Sequence, residues 1–238
     1  MPTREAVSEL TVEAVARIMD YMVLAPDHTF QDVEQACEEA AHYGFATVCL
    51  APYVVGYAAK LLRGTGVAIC GTVGLPLGHS GLLAKQNEAG TSVESGASEI
   101  DMVINLVAMK SGRYGDVQGE IAALRKLTAG LVLKVTLECC YLTDVEKARA
   151  CKLALEAGAD IIKTHTGFGL SGAAVRDVRL LSTMAGHRAE VEAAGGINRF
   201  KQVDDLLHAG AARIGTSSAV AIIKDFYEWE AVRACRRA

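Results

Sequence analysis

A (β/α)8 barrel with one extra helix at its N-terminal end is the α/β fold this sequence predicts, on three observations. Short apolar runs rich in β-branched residues alternate with longer stretches of helical period, the pattern of βα units that build a parallel sheet. About eight such units fit into 238 residues, which matches a closed barrel better than an open doubly wound sheet. No GxGxxG follows the first strand, where an open dinucleotide-binding sheet would carry it. The length permits one large domain or two small ones, and eight units feeding one sheet make the whole chain, 1–238, a single domain.

In chain order, a helix is expected over 7–18 and a first strand over 21–24. Phe30, Val33, Cys37 and Ala40 recur at the spacing that puts apolar groups on one helix face, and a second strand covers 47–50. Strands follow at 67–73, 99–105 and 131–137. Thr143-Asp144-Val145-Glu146 has the form of a capping box, in which the hydroxyl and the carboxylate satisfy free backbone N–H groups, so a helix starts there. The last strands are expected at 160–164, 190–193 and 212–215, with Val203, Leu206 and Leu207 giving a helix its apolar face between the final two. Phe226, Tyr227 and Trp229 lie in a C-terminal helical stretch and read as packing or a subunit contact.

Composition narrows the function. Hydrophobic residues make up 51% and charged residues 22%, enough for a core and too apolar for a disordered chain. The net charge of -4 comes with no basic stripe, so nucleic acid is not an expected partner. No apolar run is long enough to span a bilayer and the first residues carry charge, so neither a membrane nor secretion is expected and the cytoplasm is the default compartment. Seven cysteines, an odd set without a CxxC pair, sit mostly in apolar stretches. Neither a disulfide framework nor a metal site is predicted.

Parallel strands are buried on both faces and should read as continuous Val, Ile and Leu, because an unpaired buried charge is costly. Four consecutive strands break this rule with Asp101, Lys134, Lys163 and Glu192. Any one of them could be a structural ion pair or a strand misregistered by one residue. Four on neighbouring strands point to a functional cluster at the C-terminal barrel mouth, where reacting groups gather in this fold.

A buried lysine beside another cation sheds its proton more readily, and the neutral amine can attack a carbonyl to form a Schiff base. Lys163 is the best placed, since Thr164-His165-Thr166-Gly167-Phe168-Gly169 follows it and small residues there let backbone N–H groups approach an anion. Gly195-Gly196 after strand seven and Ser217-Ser218 after strand eight have the same character. Loops after strands seven and eight hold phosphate in many barrels. A Gly-Gly pair alone is an ordinary turn; three such segments in register predict a phosphorylated ligand.

These motifs resemble the deoxyribose-phosphate aldolase family, class I aldolases on a TIM barrel, over roughly positions 15–220. The resemblance rests on Thr47-Val-Cys-Leu-Ala-Pro52, Gly71-Thr-Val-Gly-Leu-Pro-Leu-Gly78, the strands carrying Asp101 and Lys134, the run 157–169 around Lys163, Gly195-Gly196-Ile197 and Gly215-Thr216-Ser217-Ser218. It implies reversible cleavage of 2-deoxyribose 5-phosphate to acetaldehyde and glyceraldehyde 3-phosphate through an imine, with no cofactor, in a homodimer. It also implies that Lys163 is the Schiff-base lysine, that Asp101 belongs to the proton relay, and that Gly167, Gly195, Gly196, Ser217 and Ser218 bind phosphate. Cys49 and Thr166 match family positions near the substrate but could equally be packing residues, and Asp20 and His165 are further candidates for substrate binding.

The departures matter as much. Glu192 stands where the family usually has a second lysine, Tyr21 and Met22 replace the usual His-Thr, His165 stands where serine is usual, and Cys139-Cys140 replace Thr-Gly. The family's terminal tail often carries a tyrosine near the substrate, whereas this chain ends Arg236-Arg237-Ala238. With a second lysine the formal charge of the four-residue site is about +2; with Glu192 it is about 0, and the sign change should raise the Lys163 pKa. Three outcomes stay open: Glu192 turns away and leaves Lys134 as the activating cation, Glu192 takes over as acid or base, or Lys163 stays charged and aldolase activity is weak. In the last case His165, two residues further along, would supply acid–base chemistry or act as a polar filler. The competing functions are accordingly an aldolase, a relative with a different imine-dependent reaction, and a phosphate-ligand binder without catalysis.

Overall fold

The computed structural model describes residues 11–237. Eight parallel strands close into a barrel in sequence order, β1 (Met19–Val23), β2 (Thr47–Leu50), β3 (Ala68–Val73), β4 (Glu99–Val103), β5 (Val132–Thr136), β6 (Ile161–Lys163), β7 (Glu190–Ala194) and β8 (Arg213–Thr216), with β8 pairing back onto β1. The helices α1 (Val12–Ala16), α2 (Phe30–Tyr43), α3 (Pro52–Leu61), α4 (Leu82–Glu94), α5 (Leu106–Lys110), α6 (Tyr114–Leu127), α7 (Asp144–Glu156), α8 (Val175–Ala185), α9 (Phe200–His208) and α10 (Ala219–Arg237) surround it. The extra helix before the first strand is therefore present as α1, while the predicted helical start at 7–10 and the terminal Ala238 lie outside the described residues.

The strand period of two builds the rest. Val48 and Leu50 on β2, Ile100 and Met102 on β4, Leu133 and Val135 on β5, Ile162 on β6, Val191 and Ala193 on β7 and Ile214 on β8 all pack into one buried layer beneath the helices. Each buried aliphatic side chain there contributes about 1.5–3 kcal/mol of transfer free energy. The residues between them, Cys49, Asp101, Lys134, Lys163, Glu192 and Arg213, point the other way, into the barrel. None of the four predicted charges faces solvent: Asp101, Lys134 and Glu192 are 0% exposed and Lys163 is 1% exposed, which excludes a misregistered strand.

Local signals set the ends. The predicted capping box is made, with the Thr143 hydroxyl accepting from the Glu146 N–H, and Thr29 and Asp32 form another at the start of α2. Strand four stops at Val103, short of the predicted 105, because the Asn105 side chain accepts the Ala108 N–H and starts α5. Strand one begins two residues before the predicted 21, where Asp20 and Met22 enter the barrel and Tyr21 faces outward. The Tyr21 hydroxyl donates to Glu39 of α2 at 2.8 Å and its ring meets Phe45 edge-on, so Tyr21 does not look toward the barrel mouth. Trp229 packs with Phe200 and Phe226. Among the described residues no helix is long and apolar enough to cross a membrane.

Candidate active site

Inside the barrel the charges form two linked layers. In the lower one, Lys134 Nζ lies 2.5 Å from Asp20, 2.9 Å from Glu99 and 3.1 Å from Glu192. The Arg213 guanidinium is paired with Asp20 and lies 3.4 Å from Glu99, and the Thr47 hydroxyl donates to Asp20 at 2.8 Å. In the upper layer Lys163 Nζ donates to Asp101 at 2.7 Å and lies 3.0 Å from Glu192, while the Thr136 hydroxyl donates to the other Asp101 oxygen at 2.6 Å. β-Sheet register explains the contacts, since Asp101 stands beside Lys134, Thr136 beside Lys163, and Lys163 beside Glu192.

Glu192 joins the layers. Its carboxylate lies between the two lysines without an aligned hydrogen bond to either, so it does not turn away and the first of the three outcomes is set aside. It fits because residue 215 is glycine: a Cβ there would stand 2.5 Å from Glu192 Oε1.

The electrostatics follow from burial against pairing. Burial alone would lower the Lys163 pKa, but Asp101 and Glu192 push it well above the usual lysine range. Lys134 is raised against its own burial by Asp20 and Glu192. Burial and the cations Lys134 and Arg213 oppose each other at Asp20, and the cations win, holding its carboxyl below the usual range. At Glu192 burial wins over the pull of both lysines and brings the carboxyl to about 7. The cluster holds four carboxylates against three cations, and Glu192 is the member poised to carry the extra proton near neutrality.

Above this cluster the predicted loop residues Thr166, Gly167, Gly195, Gly196, Ser217 and Ser218 line a single cavity of about 320 Å³. Two matching turns shape it. The Thr166 hydroxyl accepts the Phe168 N–H at 3.1 Å after β6, and the Thr216 hydroxyl accepts the Ser218 N–H at 2.9 Å after β8. Gly195 has φ +99°, and a Cβ there would press at 3.2 Å against both Gly172 and the His165 side chain, so only glycine fits. Met22 joins cavity and lysine, lining the former with its sulfur 4.0 Å from Lys163 Nζ. Cys49 is buried beside Met22, Cys70 and Ala194.

Three residues predicted to bind substrate, Cys49, Asp20 and His165, do not line the cavity. Asp20 sits in the lower layer, engaged by Lys134, Arg213 and Thr47. His165 follows the end of β6, and its ring lies near Glu138 and Cys140 and feels Asp177 of α8 and Lys147 of α7; it is not among the residues lining the cavity. Sequence reasoning missed Arg213, Glu99, Glu138, and His28 and Asn198 on the cavity wall. A cation inside the short run 212–215 was the readable signal for Arg213; nothing in the sequence singled out His28.

A family profile described as DeoC/LacD family aldolase matches residues 14–224. The deoxyribose-phosphate aldolase of Carboxydothermus hydrogenoformans is 44% identical over 220 residues, 91% of this chain and 96% of the relative. That of Aciduliprofundum boonei is 46% identical over 212 residues, covering 88% and 96%. The tetrameric deoxyribose phosphate aldolase structure from Aeropyrum pernix superposes with a TM-score of 0.87 at 33% identity, covering 95% of this chain and 99% of that one.

Proposed function

Because this chain belongs to the DeoC/LacD aldolase family, we propose that it cleaves 2-deoxyribose 5-phosphate reversibly, as a class I aldolase, through an imine on Lys163. The observation that carries the reading is the Lys163 amine, buried between Asp101 and Glu192 directly below a cavity walled by Gly and Ser loops.

The phosphate rests on the loops after β6, β7 and β8, which leaves the sugar aldehyde at Lys163. The buried ammonium must first lose a proton, and Glu192 at 3.0 Å, the carboxyl that burial has raised to about 7, accepts it in a step made uphill by the pairing that raises Lys163. The free amine adds to C1 and water leaves, giving the iminium. Asp101 takes the C3 hydroxyl proton as the C2–C3 bond breaks; its electrons flow to the iminium, forming the enamine and glyceraldehyde 3-phosphate. A proton returned to C2 and one water then release acetaldehyde and restore the amine. Lys134, held by Asp20 and Glu99, keeps Glu192 in place and acts as a positioning residue. Lys163 itself provides the covalent chemistry, so no cofactor enters. The partners in this reading are the phosphorylated sugar and a second copy of the chain, in the cytoplasm.

A second reading is favoured by Glu192 itself: with a carboxylate in place of a cation, the same imine could be steered to dehydration, isomerisation or another donor. Borohydride reduction in the presence of acetaldehyde, followed by peptide mapping, separates the two. An adduct on Lys163 with turnover of 2-deoxyribose 5-phosphate supports the aldolase; an adduct without turnover supports the second reading; no adduct with any small carbonyl removes both and leaves a binder of phosphate.

A further inference from the structure

Glu138, Cys140 and His165 take no part in the chemistry above, yet their donor atoms lie within 4.8 Å of one another. Cys140 and His165, 25 residues apart in sequence, thus meet in one small volume beside Glu138.

The backbone aims the donors inward. Glu138 adopts φ +53°, an uncommon conformation for a residue with a Cβ. Its Oε2 accepts the Thr166 N–H at 3.1 Å and the Thr166 hydroxyl, which leaves Oε1 facing Cys140 Sγ at 3.6 Å. His165 is 1% exposed and lies close to the Ala194 backbone, yet neither ring nitrogen makes an aligned hydrogen bond, and leaving a buried polar group unpaired is unfavourable. The nearby charges of α7 and α8 are committed to each other, Lys147 to Asp177 at 2.7 Å. Gly169 keeps the remaining side open, since a Cβ there would stand 2.7 Å from Cys140 Sγ and 2.8 Å from Glu138 Oε1.

We propose that Glu138 Oε1, Cys140 Sγ and one His165 ring nitrogen bind a divalent cation of the zinc class, with the fourth tetrahedral position open to solvent on the partly exposed Cys140 side. A mixed sulfur, nitrogen and oxygen set suits zinc and excludes magnesium and calcium, which take oxygen alone. Bonds of about 2.0–2.3 Å to a tetrahedral ion place donors roughly 3.5 Å apart, so side-chain rotations of about an ångström close the site. On binding, the Cys140 thiol proton leaves to solvent, and thiolate plus carboxylate balance the two charges of the ion. Burial favours the neutral His165 ring, the form that ligates, but also raises the Cys140 thiol and the Glu138 carboxyl, so the ion competes with protons at those two donors. No CxxC announces the site because its donors come from two separate strand ends. Since Glu138 also holds Thr166, the ion would stiffen the loop that follows β6 from behind.

The full chain, stripped with a chelator and titrated with Zn²⁺ alone by calorimetry, is expected to take up one ion per chain. Co²⁺ in its place should give a thiolate charge-transfer band. Cys140→Ala, at a partly exposed position that tolerates a small side chain, should abolish the band and weaken uptake at least about tenfold. His165→Ser should weaken uptake by a similar factor, whereas Cys37→Ala, on α2, should change neither signal. Failure to take up one equivalent, or uptake and a band that persist undiminished in Cys140→Ala, overturns the proposal.

Discussion

At Lys163 two effects of comparable size oppose each other: burial disfavours the ammonium, while Asp101 at 2.7 Å and Glu192 at 3.0 Å favour it. Two unit charges ~3 Å apart at an effective dielectric of ~20 interact by about 5 kcal/mol, and about 1.4 kcal/mol changes the fraction of free amine tenfold. Exchanging the Glu192 anion for a cation should therefore outweigh the loss of a proton acceptor. Glu192→Lys is expected to raise kcat/KM for 2-deoxyribose 5-phosphate cleavage at pH 7 at least about tenfold; an unchanged or lower value would mean that proton transfer by Glu192 matters more than its charge. Lys163→Ala should remove both turnover and the borohydride-trapped adduct. The four reacting charges were legible in the sequence because a charge in a doubly buried strand has few explanations. Arg213 obeys the same rule but sits in so short a run that it passes for a strand end. The direction of the Glu192 carboxylate was not legible, because it depends on Gly215 leaving space across the β7–β8 pair.

Among the elements, the strands read clearly because their buried outward rows are continuous in Val, Ile and Leu, and most ends differ from expectation by one or two residues. The differences come from caps, as at Asn105, and from β1, where a single-residue period assigns Asp20 and Met22 inward and Tyr21 outward. A pattern of Asp-Tyr-Met does not by itself say which face is wet. The loops were legible as small-residue segments, but not the turns in which Thr166 and Thr216 fold Phe168 and Ser218 back over the strand ends. These loops should serve phosphate and not the aldehyde, which makes Gly195→Ala informative. A methyl group at φ +99°, pressed against Gly172 and His165, carries about 1–3 kcal/mol of strain. It should raise KM for 2-deoxyribose 5-phosphate about tenfold, yet leave trapping of unphosphorylated acetaldehyde on Lys163 nearly unchanged. Equal losses in both assays would show that these loops position the lysine and not the phosphate.

On the scale of the molecule, the barrel is closed by a charged plug that joins β1, β4, β5, β6, β7 and β8 where other barrels stack aliphatic layers. Buried ion pairs contribute little net stability but make it depend on pH. Asp20, held below its usual range by Lys134 and Arg213, contributes stability above its unfolded pKa of ~3.9 that is lost as pH falls. Glu192 works in the opposite sense. Its carboxyl at about 7 in the fold lies above the unfolded value of ~4.3, so the folded chain binds the proton more tightly. Stability therefore falls as pH rises between those two values and levels off above about 7, at a cost of about 4 kcal/mol. Glu192→Gln removes that titration while Lys134 keeps Asp20 and Glu99, and Lys163 keeps Asp101. The melting temperature of Glu192→Gln, measured against the parent chain, should gain about 6–10 °C on going from pH 5 to pH 8. Asp20 stays ionised throughout that range and cannot supply the change. A constant offset across the range would mean that Glu192 is an anion in the fold at every pH tested, and that the lysines, not burial, control its proton.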